Sequence, residues 1–132
     1  MPTNHINPDG VSTPTGYTHV VTGDGSRIVF VSGQVAVNAQ GQLVGEGDLA
    51  RQAEQVFENL KTCLASVNAT FEDVVKLVTY VVNFKPEDRA TISALRQRYL
   101  PAENPPASTL VGVQALARPD LMIEIEAVAV LP

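Results

Sequence analysis

The C-terminal run L-M-I-E-I-E-A-V-A-V-L, Leu121 to Leu131, constrains the fold more than any other stretch of the chain. Strand side chains alternate between faces, so Leu121, Ile123, Ile125, Ala127, Ala129 and Leu131 share one wholly apolar face. Met122, Glu124, Glu126, Val128 and Val130 share the other, where two carboxylates sit among aliphatics. A solvated face is ordinarily more polar, so the glutamate face is expected to be covered too, by another subunit or around a ligand. The competing reading is an edge strand with two surface glutamates. Upstream, Ser108 to Leu116 also reads as extended, and the turn Arg118-Pro119-Asp120 predicts that the two segments form a hairpin.

Elements that can cover such a strand precede it. Met1 to Gly16, rich in Pro, Gly, Asn, Ser and Thr, reads as an irregular lead-in, with His5 a solvated tail residue. Tyr17 to Thr22 and Arg27 to Val37 are rich in β-branched residues and flank Gly23-Asp24-Gly25-Ser26, which predicts a first hairpin. Ser32-Gly33-Gln34 interrupts its second strand and reads as a bulge or a close approach of backbone to another group. Asp48 is a good N-cap for a helix over Leu49 to Val67, where Ala53, Val56, Phe57, Leu60, Cys63, Leu64 and Val67 make one apolar stripe. Thr70 caps a single turn, Val74 to Val82 reads as a strand buried on both faces, and Pro86 opens a second helix ending near Tyr99. Two strands, helix, strand, helix and two strands predict an α+β layer, a mixed sheet with two helices on one side.

A chain of 132 residues is one domain, here 1–132, with enough length to bury roughly two thirds of its unfolded surface. Its formal charge of −5 disfavours nucleic acid, whose phosphates need clustered Lys and Arg. The single Cys63 has no intramolecular disulfide partner and reads as a structural thiol. No basic region precedes an apolar run at the N-terminus, and no stretch approaches the roughly 18 to 20 apolar residues that span a bilayer, so a cytoplasmic protein without membrane contact is expected. Phosphate-loop, dinucleotide and zinc motifs are absent from the sequence, so no cofactor and no metal is expected. His19, beside Tyr17, reads as structural, and no Ser/His/Asp triad follows from it. A small polar set is left: Tyr17, Ser32, Gln34, Ser93, Ser108, Thr109 and Glu124.

In order along the chain, G-Y at Gly16-Tyr17, S-G-Q-V-A-V-N at Ser32 to Asn38, the helix with Gln52 to Leu64, D-V-V-K-L-V-T-Y-V-V at Asp73 to Val82, P-A-S-T-L-V-G-V from Pro106 and I-E-I-E-A-V-A-V from Ile123 resemble the reactive-intermediate imine deaminases, the YjgF/UK114 or Rid proteins. The resemblance implies a chorismate-mutase-like fold and a homotrimer with ligand clefts between subunits, which would cover the glutamate face. It also implies hydrolysis of a small enamine or imine to a carbonyl compound and ammonia. Tyr17 then lines the cleft, Ser32 and Gly33 face the ligand, and Glu124 is the carboxylate that holds water. Ser93 stands where many members carry asparagine, and Leu110 where many carry a small thiol residue.

One position departs from the pattern. The family's deaminases carry an arginine after the Pro-Ala pair, gripping the substrate carboxylate, and here Ser108 follows Pro106-Ala107. A neutral hydroxyl replaces a charged fork, which implies an altered substrate range and makes Ser108→Arg a gain in activity toward 2-imino acids if the cleft is otherwise intact. The alternatives are a member that binds a metabolite without turnover and, more weakly, an endoribonuclease.

Overall fold

Short-range hydrogen bonds mark where the helices begin in the computed structural model, which describes residues 3–132. Helix α1 (Leu49–Ala65) starts at Asp48, whose carboxylate accepts from the Arg51 N–H at 3.1 Å. Helix α2 (Asp88–Tyr99) starts after Pro86, and the Asp88 carboxylate accepts from the Lys85 N–H at 2.9 Å. Thr70 and Asp73 form a reciprocal capping box around one 3-10 turn, Phe71–Asp73, satisfying two backbone donors. The strands are β1 (Thr3–Ile6), β2 (Val20–Gly23), β3 (Arg27–Val35), β4 (Val74–Val82), β5 (Ala107–Val113) and β6 (Ile123–Leu131).

Strand partners differ from the expected hairpins. The four-stranded sheet has the order β3-β6-β4-β5, with β6 antiparallel to both β3 and β4, and β5 parallel to β4. β5 and β6 are therefore not paired, because β4 lies between them. Residues 114–122 are long enough to cross one strand, a separation of about 10 Å between second neighbours. The crossing is held where Val82 N–H donates to Met122 O and Asn83 N–H donates to Val113 O, both at 3.0 Å.

The first expected hairpin is also absent. β2 pairs with β1 from Thr3↔Gly23 to Ile6↔Val20, so part of the supposed irregular lead-in is a strand, and His5 is half-buried opposite Val21. Turn residues 23–26 redirect the chain, with the Ser26 N–H donating to Leu131 O at 3.1 Å, so that β3 begins its pairing with β6 at once.

One face of the sheet carries the core. Ile123, Ile125, Ala127, Ala129 and Leu131 of β6 and Leu77 and Val81 of β4 pack with Val56, Phe57, Leu60 and Leu64 of α1 and Ile92 and Leu95 of α2. Gln52, left out of the apolar stripe, is completely buried on α1. Its Nε2 donates to Gly45 O at 3.1 Å and Asp120 O at 3.0 Å, and its Oε1 accepts from Met122 N–H at 2.8 Å, so it satisfies the backbone of the crossing.

Among the described residues the opposite face is covered only at one end, where Gly23 and Gly25 lie against the buried Val130. Val75, Val78, Tyr80 and Val82 of β4 are only half-buried, in place of the expected burial on both sides. Ile28 and Phe30, whose partners in register are Val130 and Val128, are 63% and 77% exposed. Among the described residues no helix is long and apolar enough to cross a membrane.

Candidate functional site

A cavity of about 360 Å3 opens between α2, the edge strand β5 and residues 15–17. Ser108 and Leu110 reach it because they alternate on β5, in register with Leu77 and Thr79 on the helix-bearing side of the sheet. Residues 15–17 are held against the start of β5 by the buried Thr18. Its N–H donates to Pro106 O at 3.2 Å and its hydroxyl to Pro105 O. Gly16 has φ +76°, a left-handed conformation that L side chains rarely adopt, and the turn leaves Tyr17 half-buried in the cavity wall. His19, edge-on to the Tyr17 ring at 5.2 Å, faces the Ser12 carbonyl through Nε2 at 2.7 Å, a structural role.

From α2 come Arg89, Ser93 and Arg96, spaced by four and three residues and so on one helical face. Arg96 Nη1 donates to Ser108 Oγ at 3.1 Å, and Nη2 donates to Gly16 O at 2.9 Å. Burial holds the Arg96 guanidinium below its usual pKa. Arg89 is exposed at the mouth, and among the described residues no Asp or Glu lines the cavity. A second depression of about 420 Å3 shares Thr15, Gly16, Ser93 and Arg96 and continues past Leu100 to Pro105. Neither arginine was among the residues singled out from sequence. Their spacing with Ser93 was the available signal, masked by the apolar stripe Ile92, Leu95 and Tyr99 on the same helix.

The remaining candidates lie elsewhere. Between Val31 and Gln34 the β3/β6 register shifts, so Ser32-Gly33 is a bulge, with Ser32 exposed and Gln34 Nε2 donating to Ser32 O at 3.2 Å. A Cβ on Gly33 would overlap the Glu124 carboxylate, so glycine is what admits that side chain. Glu126 accepts from the Tyr80 hydroxyl at 2.8 Å, and this bond raises the Tyr80 pKa. Among the described residues Glu124 has no such partner. Within one chain, then, Tyr17, Ser93, Ser108 and Leu110 meet in the cavity, while Gly33 and Glu124 meet on the opposite sheet face, with Ser32 in the adjoining bulge. No group of His, Cys, Asp and Glu among the described residues could hold a metal ion.

A two-stranded sheet, a mixed four-stranded sheet with two helices on one face, and a polar cavity at the edge strand define an α+β protein built around a small-molecule-sized site. The sequence profile of the family described as Endoribonuclease L-PSP matches residues 9–131, and the chain belongs to that family, the Rid/YjgF/UK114 proteins. The solved structure of the Rid-family protein YyfB from Yersinia pestis superposes with a TM-score of 0.94 at 45% identity, covering 99% of this chain and 100% of that one. The 3-aminoacrylate deaminase RutC of Acinetobacter baylyi is 31% identical, covering 98% of each chain. A 2-iminobutanoate/2-iminopropanoate deaminase of Dermatophagoides farinae is 30% identical over 78% of this chain and 77% of its own. The family is thus associated with imine and enamine deaminase-like activity.

Proposed function

We propose that the protein is a small-molecule imine or enamine deaminase that works as a homotrimer of the chorismate-mutase-like kind, with its site between subunits. The observation that carries this reading is the separation of the two half-sites. Glu124 and Gly33 lie on the sheet face opposite the helices, which the described residues cover only near Val130 and which also carries the exposed Phe30 and Ile28, while Tyr17, Ser93, Ser108 and Leu110 line a cavity on the other side. An apolar face of this kind favours association, and a neighbouring copy is what would bring the two sets to one ligand.

In the reaction, water adds to the imine carbon and the C=N π pair moves to nitrogen. The C–N bond of the resulting carbinolamine then breaks, yielding a carbonyl compound and ammonia. Glu124 takes a proton from the attacking water and passes it to the imine nitrogen, then relays the hydroxyl proton of the carbinolamine to the same nitrogen as the C–N bond breaks and C=O forms, while Tyr17, Ser32, Gly33 and Ser108 orient the substrate. Glu126 is left to a structural part by its bond to Tyr80.

Ammonia release from freshly generated 2-imino acids tests the reading. Turnover that falls at least about 100-fold in Glu124→Gln, with Glu126→Gln close to wild type, is the expected result. Full turnover in Glu124→Gln, or its loss in Glu126→Gln alone, would reassign the water-holding carboxylate. Sedimentation is expected to find three chains per particle, and a stable single chain at micromolar concentration would overturn the intersubunit site.

A second reading, a metabolite-binding protein without turnover, is favoured by Ser108 standing where the family's deaminases carry arginine. Ligand affinity with no ammonia release from any imine or enamine would establish it. The endoribonuclease reading has less support in a chain of formal charge −5 whose His19 is engaged with Ser12.

A further inference from the structure

Arg96 is a half-buried cation without an ion-pair partner among the described residues. Its guanidinium lines the cavity and is anchored at two of five donors, on Ser108 Oγ and Gly16 O, so three N–H groups have no partner among the described residues. Among the described residues no Asp or Glu lines the cavity that Arg96 faces, and burial holds its pKa below the usual value. About two helical turns away, Arg89 stands at the mouth of the same cavity with no ion-pair partner among the described residues, and the neighbouring Asp88 is paired with Lys85. Two guanidiniums and no acid therefore line one cavity of a chain whose overall charge is −5. Leaving a cation desolvated and unpaired is costly, which points to an anionic ligand as its missing partner.

We propose that Arg96 holds the carboxylate of the ligand from α2, in place of an arginine on β5, and that Arg89 selects ligands with a second anionic group, so that the site prefers small dicarboxylates to monocarboxylates of the same length. The inference deepens the deaminase reading and rests on this cavity being its ligand cleft. The geometry suits it. Arg96 lies where the two depressions join, so a carboxylate on its fork places the rest of the ligand along the cavity toward Arg89. Ser108 then acts as a positioning residue, holding one edge of the guanidinium so that the fork is oriented before the ligand arrives.

Binding to the full-length protein tests this without turnover, using 2-oxoglutarate against 2-oxopentanoate, 2-oxo acids of equal chain length that differ in the second carboxylate. Calorimetry at low salt is expected to give at least about 10-fold tighter binding of 2-oxoglutarate. Arg89→Gln is expected to bring the two affinities within about 2-fold of one another. Arg96→Gln is expected to weaken both by about 10-fold to 100-fold, and Arg96→Lys, which keeps the charge and a donor to Gly16 O, to fall between. Equal affinities for the two acids in the wild type, binding of neither, or unchanged 2-oxoglutarate affinity in folded Arg96→Gln and Arg96→Lys would each overturn the proposal. Ammonia release is a separate measurement, so a protein that binds the dicarboxylate and releases no ammonia would refute the deaminase reading while supporting this one.

Discussion

Arg96 and Ser108 are joined side chain to side chain, Nη1 to Oγ at 3.1 Å, across the gap between α2 and the edge strand β5. The serine that replaces the family's arginine is therefore already next to a guanidinium. This changes what an arginine at 108 is expected to do. In Ser108→Arg two like charges would meet at hydrogen-bonding distance, so no gain in turnover of 2-imino acids and a lowered melting temperature are expected. Combined with Arg96→Ser, the same substitution moves a single cation to β5, and kcat/KM should exceed that of Ser108→Arg alone by at least about 10-fold. A Ser108→Arg enzyme faster than wild type would show that Arg96 does not serve the ligand.

Gly33→Ala tests the other half-site. Gly33 does not use left-handed backbone, so alanine is conformationally allowed, but its Cβ would displace the Glu124 carboxylate. The expected outcome is a folded protein with a melting temperature within a few degrees of wild type and turnover reduced by about 10-fold or more, through kcat rather than KM.

Gln52 ties α1 to the crossing before β6 through Asp120 O and Met122 N–H, and to the loop before α1 through Gly45 O. Gln52→Leu fills the same space and leaves those buried groups unpaired, so unfolding in urea should show a loss of about 3 kcal/mol. A change below about 0.5 kcal/mol would mean that the crossing finds other partners.

Tyr99 stacks on Phe57 at 5.0 Å and donates to Glu58 at 2.7 Å. Burial and then this bond push its pKa from 10.0 up to about 12. The folded protein thus holds the phenolic proton more tightly than the unfolded chain. The resulting stabilisation is complete below pH 10 and is lost as pH rises through about 12. Alkaline melts should fall in that window, Tyr99→Phe should flatten the fall, and the latest phenolate transition in absorbance should vanish in the variant.

Local signals along the chain were legible because short-range chemistry decides them. Asp48 begins α1, Thr70 caps its turn, β4 runs from Val74 to Val82, and Ser32-Gly33 breaks β3, each where side-chain spacing and backbone hydrogen bonding place it. The alternation from Ile123 to Leu131 likewise determined which face of β6 is buried. Partner choice was not legible, because adjacency along the chain does not decide pairing when another strand fits the slot better. β4 took the place beside β6 that β5 was expected to hold, and β1 took β2 from β3. The site divides in the same way. Tyr17, Ser93, Ser108 and Leu110 were identifiable as residues, but the cation among them was not, since Arg96 reaches Ser108 only after α2 packs beside the edge of β5. By itself the sequence determined both helices, the strands other than β1, the buried face of β6 and the family. Tertiary structure decided the strand order and the placement of Arg96, because both depend on which distant segments compete for the same surface.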